Sequence, residues 1–139
     1  MFNDLRRRGN AFGIVFGDLF VLSNSRLSLE AGEYARDMGK HEQFHEKIFH
    51  AYFSETMDIG NAEKLCGVAA GCGLDPIDMM QALKDDRYKF RLDDARKEGM
   101  KIQLTGVPTF IIDGNQKIVG AQPEKVFTDI LDKLARDHI

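Results

Sequence analysis

Cys66 and Cys72 are the two thiols of the chain, and their spacing limits the sulfur chemistry they can do. They are not a Cys-x-x-Cys pair. If both lie on one helix, six residues carry them about 9 Å apart along its axis. A disulfide wants its Cα atoms closer than about 7 Å. The spacing therefore predicts two buried free thiols, the ordinary state of an unpaired cysteine. A metal site there is disfavoured, because no His or other Cys lies nearby in sequence. The second constellation is His41-Glu42-Gln43-Phe44-His45. Two histidines four apart on a helix, with a glutamate between, bind zinc and activate water in zinc proteases, and Glu63 is the candidate third ligand. Against this, Gly39 falls two residues earlier, where it breaks the apolar helix that should carry the motif. The competing reading is a solvated first turn, with Glu42 and Glu46 near a helix N-terminus. His50 and His138 read as surface residues.

The elements that position these residues are mostly helical. Phe2 to Gly9 reads as the last turns of a helix, stopped near Gly9-Asn10. Phe12 to Phe16, with β-branched Ile14 and Val15 between glycines, suits a strand. Asn24 is a plausible N-cap for a helix with Leu27, Ala31, Tyr34, Ala35 and Met38 on one face, ended by Gly39. Phe44, Ile48, Phe49 and Tyr52 mark the next helix. Asn61 caps another, with Leu65, Val68, Ala69 and Cys72 inward and Gly71 and Gly73 at its stop. Asp75-Pro76 is an N-cap followed by proline at N1, with Met80 and Leu83 inward. Tyr88, Leu92, Ala95, Gly99 and Ile102 form a longer stripe. The pattern then switches. Thr109 to Ile112 and Lys117 to Val119 are strands joined by an Asp113-Gly114-Asn115 turn. Pro123 opens a final helix with Val126, Phe127, Ile130, Leu131 and Leu134 on one face.

The 139 residues, 43% hydrophobic and 29% charged, fit one globular domain. A net charge of −3 gives no electrostatic case for nucleic acid, and Arg6-Arg7-Arg8 is too short for a basic arm. No apolar stretch approaches the roughly 20 residues of a membrane helix. Asp4 and the three arginines do not suit a signal peptide, so the expected location is cytoplasmic.

The run Leu104-Thr105-Gly106-Val107-Pro108-Thr109-Phe110-Ile111-Ile112-Asp113-Gly114 resembles the cis-proline loop and following strand of DsbA-like thioredoxin folds. Gly120-Ala121-Gln122-Pro123 resembles that family's entry into its last helix. Asn24-Ser25-Arg26 with Leu29-Glu30-Ala31 resembles the start of its helical insertion, continued by Phe44-His45, Ala51-Tyr52-Phe53 and Asp58-Ile59-Gly60. Phe44 and His45 thus fit this pattern with no metal needed. The resemblance covers nearly the whole chain from about Phe12 and extends to the FrnE-like branch, related to 2-hydroxychromene-2-carboxylate isomerases.

The resemblance implies an α/β thioredoxin-like fold, incomplete, with its first strand missing and a large all-helical insertion. Residues 1–23 and 104–139 would form the partial thioredoxin-like domain, and 24–103 the insertion. A thioredoxin fold carries Cys-x-x-Cys between its first strand and first helix, where the helix N-terminus lowers a thiol pKa. This chain begins inside what should be that helix, so both reactive cysteines are expected to be absent. Cys66 and Cys72 belong to the insertion and do not replace them; the serine of the isomerase site has no match either. No catalytic residue, metal or cofactor is therefore assigned. The implied substrate-binding residues are Thr105, Gly106, Val107 and Pro108. A cis bond before Pro108 turns the chain sharply, and in the family the freed backbone groups pair with an extended substrate. Read from the residues alone, the segment is equally an ordinary turn before a strand.

The implied function is a thiol–disulfide oxidoreductase-like protein without redox activity as this chain alone. The alternatives are a glutathione-linked isomerase relative, a non-catalytic peptide-binding or assembly module, and the zinc hydrolase of the His41 motif. The expected partners are an extended peptide or thiol substrate and a second copy of the chain, with neither nucleic acid nor membrane. The family's first strand lies between the strands at Phe12–Phe16 and Thr109–Ile112. Its absence leaves two edges open to pairing. Direct closure, a strand-swapped homodimer or a separate chain bearing Cys-x-x-Cys would satisfy them. The homodimer is the expectation, because it needs nothing beyond this sequence.

Overall fold

The computed structural model describes residues 2–18 and 21–137. Met1, Leu19, Phe20, His138 and Ile139 lie outside them, and with them the reading of His138 as a surface residue. The elements run α1 (Phe2–Asn10), α2 (Arg26–Asp37), α3 (His41–Phe53), α4 (Ala62–Ala70), α5 (Pro76–Lys84), α6 (Lys89–Lys101), β1 (Thr109–Ile112), β2 (Gln116–Val119) and α7 (Glu124–Asp137). They fall into two compact units, Met1–Asp94 and Ala95–Ile139.

The first unit is helical, and its core follows the 3.6-residue periodicity. Ala31, Tyr34 and Ala35 of α2 meet Phe44 and Ile48 of α3, Leu65, Cys66 and Ala69 of α4, and Met79, Ala82 and Leu83 of α5. Burying such apolar surface is the dominant favourable term in folding. Met79 is fully buried where the stripe points to Met80, which is only partly covered. Local chemistry sets the helix ends. Asp75 Oδ1 accepts from the Ile77 and Asp78 N–H groups, and Asn61 Oδ1 from the Lys64 N–H. The cap of α2 is shifted by one residue. Ser25 occupies the cap position, while Asn24 Oδ1 accepts from the Arg26 N–H at 2.9 Å. Gly39, at φ +68, closes α2.

The strand expected at Phe12–Phe16 is not formed. This segment lies in no sheet, and among the described residues the one sheet is β1–β2. A strand exists only by pairing, and here the backbone is met otherwise. The Ile14 N–H donates to the Gly9 carbonyl (2.9 Å) and the Gly17 N–H to the Phe53 carbonyl (2.8 Å). Ser54 Oγ donates to the Val15 carbonyl at 2.6 Å. Phe16 packs edge-on against Phe53, with ring centroids 5.8 Å apart. The run begins in the turn that follows α1, with Gly13 at φ +72, and is tied to the end of α3 and not to a neighbouring strand.

In the second unit, β1 and β2 form an antiparallel hairpin with Thr109 opposite Val119 and Ile112 opposite Gln116. Asp113 and Gly114 in the turn both have positive φ, a geometry that Asp-Gly accommodates. α7 carries the expected stripe, of which Val126, Phe127, Ile130 and Leu134 are partly covered and Leu131 is exposed. Phe127 meets Phe110 of β1 edge-on at 4.9 Å. The expected helix forms as α6, and its stripe is covered only in part: Tyr88, just before it, is buried, Leu92 and Gly99 are half-buried, and Ala95 and Ile102 are exposed.

Candidate functional site

The loop at residues 105–108 is built from both sides. Upstream, α6 ends in a Schellman motif: the Leu104 N–H donates to the Gly99 carbonyl (2.9 Å) and the Gln103 N–H to the Met100 carbonyl (3.0 Å). Gln103 takes the left-handed position, at φ +52, that glycine usually fills. Lys117 Nζ, from β2, donates to the Ile102 carbonyl. Downstream, Thr109 Oγ1 donates to the Gly106 carbonyl at 2.6 Å, and the Gly120 N–H to the Pro108 carbonyl at 2.7 Å. The Val107–Pro108 peptide bond is cis. Gly106 makes the approach to β2 close, since a Cβ there would lie 3.3 Å from a Val119 methyl. Val107, at the turn, is 89% exposed. The four residues predicted for substrate binding thus form one anchored, outward-facing turn. Lys117, Thr109 and Gly120 hold it; the sequence places them in the strands and at the entry to the last helix, but not among the site residues. The strand register, which sets Pro108 opposite Gly120, is the signal that finds them.

The same register fixes the free edge of β1. Residues that exchange hydrogen bonds alternate along an antiparallel ladder. With Gly120 bonded to Pro108, Phe110 and Ile112 direct their backbone groups to β2. Thr109 and Ile111 direct theirs the other way, where no further strand lies among the described residues.

Both cysteines are free and buried within the first unit's core. Cys66 lies on α4 and Cys72 just beyond it, and burial pushes the Cys66 thiol above its ordinary value. A thiol held protonated in an apolar core is a poor nucleophile. The His41 motif occupies the first turn of α3, with Gly39 outside it, so both histidines do share a helical face. Their rings stack at 5.7 Å, and His45 continues onto Phe49 at 4.3 Å. His41 Nε2 lies 3.3 Å from Arg36 Nη2, and Nδ1 lies 3.1 Å from the Gly32 carbonyl. A guanidinium only donates, so Nε2 accepts and the proton sits on Nδ1. Both ring nitrogens are therefore engaged. Among the described residues, no three His, Cys, Asp or Glu side chains converge as a metal site.

The sequence matches the family described as DSBA-like thioredoxin domain over residues 1–132. The chain belongs to that family. It is 31% identical over 106 residues to the uncharacterized protein YwbO of Bacillus subtilis (strain 168), covering 73% of this chain and 50% of that protein. The thiol:disulfide interchange protein DsbA of Pseudomonas aeruginosa is 28% identical over 80 residues, covering 58% of this chain and 38% of its own length. In Azotobacter vinelandii, DsbA is 26% identical over 104 residues, 74% of this chain and 46% of that one. The chain spans half or less of the length of these relatives. A crystal structure of a probable DsbA oxidoreductase from Streptomyces coelicolor superposes with a TM-score of 0.78 at 24% identity, over 94% of this chain and 57% of that one, and supports the fold. This DsbA-like chain is mostly helical with a small two-stranded sheet. No helix among the described residues is long and apolar enough to cross a membrane.

Proposed function

We propose that this DsbA-like chain is the peptide-holding part of a thiol–disulfide exchange protein and supplies no reactive thiol of its own. The observation that carries this reading is a contrast. Residues 105–108 form an anchored, exposed turn, while both sulfurs are enclosed among helices. An extended peptide laid along the turn would take main-chain hydrogen bonds, the recurrent way a strand edge recognises a ligand. An insulin-reduction assay tests it. The chain alone gives negligible turnover; robust turnover lost in Cys66→Ser or Cys72→Ser overturns the reading.

The outward N–H and C=O groups of Thr109 and Ile111 lie on an edge with no charged residue in the strand, the kind that templates pairing. This supports a homodimer joined through β1. Ile111→Pro tests the idea cleanly, because it removes an outward N–H and leaves the ladder to β2 intact. Light scattering behind size-exclusion chromatography gives a dimer for the parent chain and a monomer for the variant. A parent chain that stays monomeric across a wide concentration range sinks the assembly argument.

A further inference from the structure

Glu30 lies at the centre of α2, is fully buried, and has no hydrogen-bond partner for either carboxylate oxygen among the described residues. A buried charge in that condition is costly unless something compensates it. The one ion pair it makes is to Arg26 Nη1, one helical turn earlier, at 3.4 Å. That same nitrogen lies 3.3 Å from Asp86 Oδ1, in the turn between α5 and α6. Asp86 is itself held at φ +51, in the left-handed region. Two carboxylates from different elements thus compete for one guanidinium nitrogen, and only one of them is in water. The other charged groups facing Glu30 are Lys89 and Asp93, from the start of α6. Lys89 is turned to Asp93 at 2.7 Å.

Further along the same face of α2, the carboxylates are fully served. Arg91 donates to Glu33 at 3.2 Å and to Asp37 at 2.8 Å, and the Tyr88 hydroxyl donates to Asp37 at 3.0 Å. The seam between α2 and the beginning of α6 is therefore polar, satisfied at its far end and unsatisfied at Glu30.

We propose that Glu30 is a proton-operated latch on the seam between α2 and the α5–α6 turn. As the neutral acid it makes little demand on Arg26, which then serves Asp86 alone and holds the turn. As the carboxylate it draws Arg26 away from Asp86, and the turn loosens. Burial favours the acid form by raising the Glu30 carboxyl above its ordinary value; Arg26 opposes this, and Asp86 adds to it. Folding therefore stabilises the protonated form. Stability from this group is complete below the unfolded glutamate value and is lost as pH rises through the folded one.

The test compares the parent chain with Glu30→Gln, which keeps the shape and discards the charge. Amide hydrogen exchange is followed at Arg87 and Lys89, whose N–H groups donate to the Ala82 and Asp86 carbonyls. As pH rises from the unfolded glutamate value of about 4.3 through the Glu30 titration, protection at these two amides should fall roughly threefold to tenfold in the parent and stay level in the variant. Parallel profiles in the two proteins would overturn the latch. If Glu30→Gln fails to fold, a carbon-13 titration of the Glu30 carboxyl in the parent decides. A midpoint that coincides with the pH at which the Arg87 and Lys89 amides lose protection supports the proposal, and one that does not coincide refutes it.

Discussion

Gly106 sits where the backbone passes close to a Val119 methyl. A single added carbon there would sit 3.3 Å from that methyl, so Gly106→Ala demands a small retreat by Val119. Gly106→Val demands more, and forcing methyl groups into such a contact typically destabilises by about 1–3 kcal/mol. Urea unfolding is expected to show that loss for Gly106→Val and a smaller one for Gly106→Ala. A Gly106→Val protein as stable as the parent would mean that the turn is not held against Val119. At this scale the sequence was informative where chemistry is local. The free state of Cys66 and Cys72 follows from their spacing, whereas the cis bond at Pro108 is reached only through the family resemblance of the Thr105–Pro108 run. The hydrogen bonds of the His41 ring are not legible in the sequence. They depend on Arg36 and Gly32, which reach the ring from α2. Glu30 was equally hidden, because a glutamate in a helical stripe reads as solvated until the neighbouring turn is placed over it.

The elements divide by whether their causes lie within a few residues. Asp75-Pro76 announced α5, and the Asp75 carboxylate accepts the two N–H groups that the helix leaves free. Asp75→Ala removes both bonds and is expected to lower stability by about 1 kcal/mol, with Asp75→Asn retaining most of it. Thermal unfolding of the three proteins checks this, and equal midpoints for Ala and parent would show that the cap contributes nothing. The hairpin was legible for the same reason, since Asp113-Gly114 supplies a turn whose geometry its own residues favour. The segment at Phe12–Phe16 failed because a strand has no local cause. Its short apolar run with β-branched Ile14 and Val15 suits a strand, but the structure begins it in a turn, with Gly13 at φ +72. Pairing requires a neighbour that sequence cannot place, and here Phe53 and Ser54 take up the backbone groups instead. α6 forms as expected but buries little. Its apolar residues are spaced for a buried face, but the helix is crowded with charge and ends among exposed positions.

At the scale of the whole molecule, the titrating groups pull stability in opposite directions, and the signs predict the shape of its pH profile. Hydrogen bonds from Arg91 and Tyr88 hold the Asp37 carboxyl below its ordinary value, and those from Ser23 and the Gly60 N–H do the same for Asp58. These groups contribute stability that is present above the unfolded aspartate value of about 3.9 and lost as pH falls through the folded ones. Glu30 acts on the other side, removing stability as pH rises above the unfolded glutamate value of about 4.3. At the alkaline end, burial first and then the carboxylate of Asp78 push the Tyr34 phenol up to about 12. Its unfolded value is about 10, so the folded state keeps a proton that the unfolded state releases. Stability from Tyr34 is full below about pH 10 and is lost as pH climbs from there towards 12. The unfolding midpoint is therefore expected to fall on the acid side through Asp37 and Asp58, to lose the Glu30 contribution as pH rises above the unfolded glutamate value, and to fall again above about pH 10. Three substitutions separate the contributions in scanning calorimetry. Asp58→Asn flattens the acid limb, Glu30→Gln removes the loss above the unfolded glutamate value, and Tyr34→Phe weakens the alkaline fall. An alkaline limb unchanged in Tyr34→Phe would mean that the phenol ionises as readily folded as unfolded, and that its place between α2 and the Asp75 carbonyl, 3.5 Å away, gives it no protection from solvent.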